Sequence, residues 1–128
     1  MDKATLVEVD LNRSEQIVSA LEAAGIRVVV AIWVHFPEYE YWRFVLASRS
    51  LDSLTLGEAN SKVNGVLAEA GLSVWEIPTI FIMKTTDPFI RAIRKVFGKT
   101  EKNVVGMRLG GRTWGDRFIE DGYAYKIA

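Results

Sequence analysis

The sequence contains no cysteine and one histidine, His35, among its 128 residues. The first absence removes disulfides, thiolate metal sites and cysteine nucleophiles. It suits a reducing compartment. The second narrows the chemistry further. A metal site built on histidines needs several of them, and a serine triad would have to use His35, while no serine has a nucleophile's context. A Mg²⁺ site made only of carboxylates stays open. The tightest acidic pair, Glu38 and Glu40, reads better as the polar tip of a turn. No metal and no cofactor is therefore expected. The chain also lacks a P-loop, a G-x-S-x-G elbow and a G-x-G-x-x-G placed after a strand. Long hydrophobic runs are missing too. The longest, Val28 to Val34, falls far short of the ~20 residues of a membrane helix. The opening MDKATLVEVD has acids where a signal peptide has a basic start and an apolar stretch. These absences predict a cytoplasmic protein with no membrane partner.

What is present is the balance of an ordinary globular domain: 49% apolar and 25% charged residues, with no linker rich in Pro, Gly or Ser. A chain of this length buries roughly two thirds of its unfolded surface, so a single domain over 1–128 can hold itself together without staples. Apolar spacing predicts a helix over 13–24 closed by Gly25, then a strand over 27–36 that is apolar on both faces and so covered on both. A turn at Pro37 to Glu40 leads to a second strand over 41–49. Thr55 and Glu58 have capping-box spacing and open a helix that presents Leu56, Ala59, Val63, Val66, Leu67 and Ala70 on one face and ends at Gly71. A strand over 79–84 follows. Asp87-Pro88 caps a helix to Phe97 that turns Phe89, Ile90, Ile93, Val96 and Phe97 inward and stops at Gly98. The remainder reads as a β-meander over 104–127, with two-residue turns at Gly110-Gly111 and Asp121-Gly122. The fold class is α+β, mostly antiparallel, in the order αββαβαβββ. A further short strand over 5–9 would give a ferredoxin-like βαββαβ core. LEAAGIRV and LAEAGLSV, 46 residues apart, read as two helix-to-strand connections needing the same glycine rather than as a duplication.

The stretch HFPEYEYWRF concentrates aromatic rings around the lone histidine. With the turn at 37–40, Phe36 opposes Tyr41, and directly opposed residues share a face. One face then carries His35 beside Trp42, Trp33 beside Phe44 and Ala31 beside Leu46. The other carries Val34 beside Arg43 and Ile32 beside Val45. The first face is an aromatic ladder of core residues, with His35 at its rim bonded to a backbone group. The alternative is that its outer end, His35, Tyr39, Tyr41 and Trp42, forms an exposed docking patch.

Charge is uneven along the chain. Residues 1–83 hold six Lys and Arg against eleven Asp and Glu; residues 84–117 hold nine against three. Sign asymmetry of this kind suits an acidic partner or a polyanion. The expected binding patch is Arg91, Arg94, Lys95, Lys99, Lys102, Arg108 and Arg112. Zero net charge weakens long-range attraction to nucleic acid, and no helix-turn-helix, RNP or zinc-finger pattern is present. Docking onto an acidic protein, nucleic-acid binding, and head-to-tail self-association into a homo-oligomer are the competing partners. The function expected is therefore a non-catalytic interaction module. An enzyme of the metal-independent ribonuclease type is the alternative, with Arg108, Arg112, Tyr123, Tyr125 and Lys126 as its groups. Tyr123 and Tyr125 share a strand face by period two, which leaves Lys126 pointing the other way.

Overall fold

A computed structural model describes residues 3–38, 42–72, 80–97, 105 and 107–128, with the backbone alone over 3–11. The elements are α1 (Lys3–Ala23), β1 (Val30–His35), β2 (Arg43–Ala47), a 3₁₀ turn (Arg49–Leu51), α2 (Leu56–Glu69), β3 (Ile80–Ile82), α3 (Pro88–Phe97), β4 (Arg112–Trp114), β5 (Arg117–Ile119) and β6 (Asp121–Ile127). The fold is α+β. A four-stranded sheet runs β3-β2-β1-β6, antiparallel except for the parallel β2–β3 pair, and β4 and β5 form a separate hairpin.

The hairpin register is the one the alternation demands: Ala31 faces Leu46, Ile32 faces Val45, Trp33 faces Phe44 and Val34 faces Arg43. The sheet is covered on both sides, which is why β1 is apolar on both faces. On one side α1 and α2 bury Ile17, Leu21, Val63 and Leu67 against Ala31, Trp33, Phe44 and Leu46. On the other, α3 and the β4–β5 hairpin bury Phe89, Ile90, Ile93, Trp114 and Ile119 against Val30, Ile32, Val34 and Phe36. Trp33 donates its indole Nε1 to Ser14 Oγ at 2.7 Å, so the one polar atom of this core ring is satisfied from α1.

The helix ends follow the sequence signals. Thr55 and Glu58 exchange both bonds of the capping box. Asp87 caps α3 through a 2.9 Å bond from the Phe89 amide. Gly25 and Gly71 both adopt positive φ, +86° and +82°. In each case the amide after the glycine bonds five residues back, Ile26 to Leu21 and Leu72 to Leu67. Both are Schellman closures, which explains the shared Ala-Gly segment without a duplication.

Several expectations are corrected. Residues 5–9 are helical, within α1, so no strand precedes the first helix and the ferredoxin-like order does not arise. Val7 and Val9 suggest a strand, but no Gly or Pro interrupts 3–23. Once the turns around Ser14 and Ile17 are docked, each preceding residue adds a hydrogen bond without a new nucleation cost. The meander is also different. The two-residue turn joins β4 to β5 at Gly115-Asp116, where Gly115 has φ +62°. Asp121-Gly122 is no turn: it opens β6, with Asp121 opposite His35 and Gly122 opposite Val34. Gly110-Gly111 precedes β4, and a Cβ on Gly110 would lie 2.5 Å from Asp121 Cα. Its glycine serves close approach rather than a hairpin turn. Leu56, Ala70 and Val96 face outward. Leu56 and Ala70 sit at the two ends of α2, and Val96 lies on the solvent side of α3's last turn. Gly98 lies outside the described residues.

Candidate functional site

The first candidate region is the outer end of the β1–β2 ladder. Burial falls along it as the register predicts. Ala31 and Leu46 are fully buried, Trp33 is 4% exposed, and His35 and Trp42 are half-buried. Because β6 pairs with the far side of β1, it brings its own groups to this rim. Trp42 stacks on Tyr123 with ring centroids 5.7 Å apart, and the His35 ring lies 5.7 Å from Trp42. Arg108 lies over the Tyr123 ring, 5.5 Å from its centroid, and reaches Asp121 at 3.4 Å. His35 Nδ1 lies 3.0 Å from Glu120 Oε2, so the ring has a carboxylate neighbour. A depression of about 360 Å³ beside this cluster is lined by Arg108, Gly110, Gly111, Glu120 and Asp121. Its two acids face one arginine, so it is not an anion site. Tyr39 and Tyr41 lie outside the described residues.

The groups of the ribonuclease alternative are only partly brought together: Arg108 lies at the Tyr123 ring, whereas Arg112 belongs to the β4–β5 hairpin. Arg112 lies over the Trp114 ring, 4.8 Å from its centroid. The β1–β6 register slips between Ala31 and Ile32, which leaves Tyr125 as an extra residue in β6. A bulge breaks the period-two alternation. Lys126 therefore turns to the α1 side, the same side as Tyr123 and Tyr125, and pairs with Glu22 at 3.1 Å. That corrects the opposite orientation expected from strict alternation. Burial, and then the nearby carboxylates Glu15 and Glu22, push the Tyr125 hydroxyl above its ordinary range. A tyrosine held protonated beside two acids makes a poor general base. Among the described residues no group of three or more His, Asp or Glu side chains could hold a metal ion. No helix among them is long and apolar enough to cross a membrane.

The second region is the α3 side of the molecule. Phe89, Ile90 and Ile93 face the sheet, so Arg91 and Lys95 stand in solvent and Arg94 lies half-buried at the helix edge. Arg94 Nε donates to the Ala128 main-chain oxygen at 2.9 Å. Ala128 is held there because its amide bonds to the Val29 oxygen at 2.8 Å, at the end of β1 remote from the aromatic rim. This is also where Arg27 enters β1 and Arg49 leaves β2. The result is a concave site of about 250 Å³ lined by Arg27, Val29, Arg49, Arg94 and Ala128. No carboxylate side chain lines it. Lys99 and Lys102 lie outside the described residues. Arg108 and Arg112 are used at the Tyr123 and Trp114 rings, apart from this site.

Arg27 and Arg49 were missed because both fall in the acidic part of the chain, where segment sums hide them. The signal was in the hairpin register. Extending it past Val30 opposite Ala47 brings Arg27 and Arg49 to the same end of the ladder. Comparison of the chain with family models, with characterised proteins and with solved structures finds no match in any of the three.

Proposed function

We propose that this protein is a non-catalytic binding module that engages an acidic partner or polyanion through the α3 side. One observation carries the reading: Arg27, Arg49 and Arg94 line one concavity without a carboxylate side chain among its lining residues. Like charges gathered around a concave surface repel one another and focus a positive potential, which favours an anionic visitor. Arg91 and Lys95 extend the same sign across the exposed face of α3. A cytoplasmic setting fits a chain without cysteine. Self-association, with the acidic residues of one copy covering the basic face of another, is the competing occupant of this surface.

The test reverses Arg91, Arg94 and Lys95 to Glu. Retention on heparin at low salt should fall, and its dependence on salt should flatten, because fewer counterions are released. A wild type that elutes without retention, or a variant that behaves identically, removes the proposal. A wild type that sediments as a dimer only at low salt, and a variant that is a monomer, assigns the face to self-association instead.

A further inference from the structure

Within that basic face, and resting on the reading just given, we infer that the three-arginine concavity is a seat for a single phosphate monoester group. Charge is the first argument. Arg27, Arg49 and Arg94 come from β1's approach, β2's exit and α3, so three separate parts of the fold each contribute one arginine to the lining of one concavity. Among the described residues, neither Arg27 nor Arg49 uses its side chain in a hydrogen bond or ion pair. Among the described residues, the one side-chain bond of Arg94 is that to Ala128. Their forks remain available to a ligand. The Ala128 oxygen takes Nε of Arg94 and leaves its terminal nitrogens; even a full carboxylate there would offset one positive charge of three.

Donor geometry is the second argument. A guanidinium presents a planar fork that matches two oxygens of an oxyanion. A carboxylate has two oxygens and a single charge, which one or two forks satisfy. A phosphate monoester has three terminal oxygens and close to two charges near neutral pH. Three arginines in one lining can supply a fork for each of those oxygens, and a bound dianion would offset the repulsion among them. The site is rigid in backbone because Val29 bonds to both Ala47 and Ala128 on its two sides. A preformed site loses little affinity to ordering on binding.

Binding of inorganic phosphate, with sodium acetate as a carboxylate and chloride as an ionic-strength control, is measured by calorimetry and by thermal denaturation. Phosphate should raise the melting temperature in a saturable way, and acetate and chloride should not. Arg27→Gln and Arg49→Gln should each weaken phosphate binding about tenfold, the effect of one lost charge-assisted pair. Lys62→Gln, on the exposed side of α2, should bind as wild type. Melting curves without phosphate show that each variant is folded. Phosphoserine and a nucleoside 5′-monophosphate then distinguish what the phosphate hangs from. Retention on heparin with no saturable phosphate binding overturns this inference and leaves the basic-face reading standing. Loss of both retires the two together. Phosphate binding that survives Arg27→Gln and Arg49→Gln places the ion elsewhere and also overturns it.

Discussion

Trp33→Ala should be among the most destabilising single changes in the chain, and Trp42→Ala, on the next rung of the same ladder, should cost much less. The Trp33 ring is 4% exposed, lies 4.9 Å from Phe44 and sits between β1 and α1. Emptying a large aromatic site of this kind costs about 3–5 kcal/mol. Trp42 is half-buried and rests on Tyr123 and His35 at the rim. Its removal exposes one ring face instead of opening a closed cavity, so about 1–2 kcal/mol is expected from lost area and stacking. The assay is urea denaturation of the three proteins. With a slope near 2 kcal/mol per molar, Trp33→Ala should lower the midpoint by roughly 2 M, and Trp42→Ala by less than about 1 M.

A loss of that size is a large part of a domain's whole stability. A milder variant keeps the comparison readable. Trp33→Phe retains most of the ring and removes only the donor to Ser14 Oγ. Ser14→Ala removes the acceptor and leaves a buried indole N–H without a partner. A double-mutant cycle between them should give a coupling of about 1 kcal/mol, the usual net value of a buried hydrogen bond. Equal losses for Trp33→Ala and Trp42→Ala would refute the gradient of burial along the ladder. A coupling indistinguishable from zero would refute the Trp33–Ser14 contact that docks α1.

Three further outcomes are expected. Glu58 has its carboxyl below the usual range because it accepts from the Thr55 amide and the two residues form the capping box. Its folded pKa is depressed, so its contribution is present above the unfolded value near 4.5 and is lost as pH falls through the folded one. The stability difference between wild type and Glu58→Gln, followed from pH 7 to pH 3, should shrink across that window; a difference independent of pH sinks the assignment. Tyr125 has a raised folded pKa, so the neutral hydroxyl stabilises the fold below the unfolded value near 10 and that contribution declines as pH rises toward the folded value. Tyr125→Phe should flatten the alkaline fall in stability, and ultraviolet titration should show one phenol fewer ionising late. Gly115→Ala should cost clearly more than Gly25→Ala by thermal denaturation. Both have positive φ, but a Cβ at 115 would lie 2.4 Å from the Pro88 oxygen whereas none lies within 4 Å at 25; about 1 kcal/mol is expected at Gly25 and over about 2 at Gly115.

Which parts of this fold were legible follows from the range of the interactions that specify them. The hairpin register, the capping box at Thr55 and the glycine closures at 25 and 71 are each decided within a few residues, by turn length, side-chain spacing or a single φ. Residues 5–9 failed because local β-propensity at Val7 and Val9 was outweighed by continuation of a helix nucleated further on. Asp121-Gly122 failed for a related reason. An Asp-Gly pair is a good turn signal in isolation, but here the Asp121 carboxylate bonds the Gly122 amide at 2.9 Å and the pair lies in register with β1. Sheet pairing, a long-range term, overrode the turn chemistry. The bulge at Tyr125 is the same kind of failure, since strict alternation holds only where nothing is inserted.

The arginine concavity shows why charge counted along a chain does not locate charge in space. The division into an acidic stretch and a basic one is real, yet two of the three arginines that converge come from the acidic stretch. What brings them together is the β1–β2 pairing, which folds residues 22 apart onto one end of the sheet. The third arrives because β6 pairs antiparallel with β1 and carries Ala128 to the same end, where α3 lies against it. The basic stretch itself is split by the fold. Arg108 and Arg112 are spent on the Tyr123 and Trp114 faces, and Arg117 lies over Phe36. Arg91, Arg94 and Lys95 face outward or lie at the α3 edge. A patch is a property of surfaces, so segment sums find it only when one element supplies all its charges. Here three arginines meet at the junction of β1's approach, β2's exit and α3, so the proposed anion site is a concavity rather than a flat helix face.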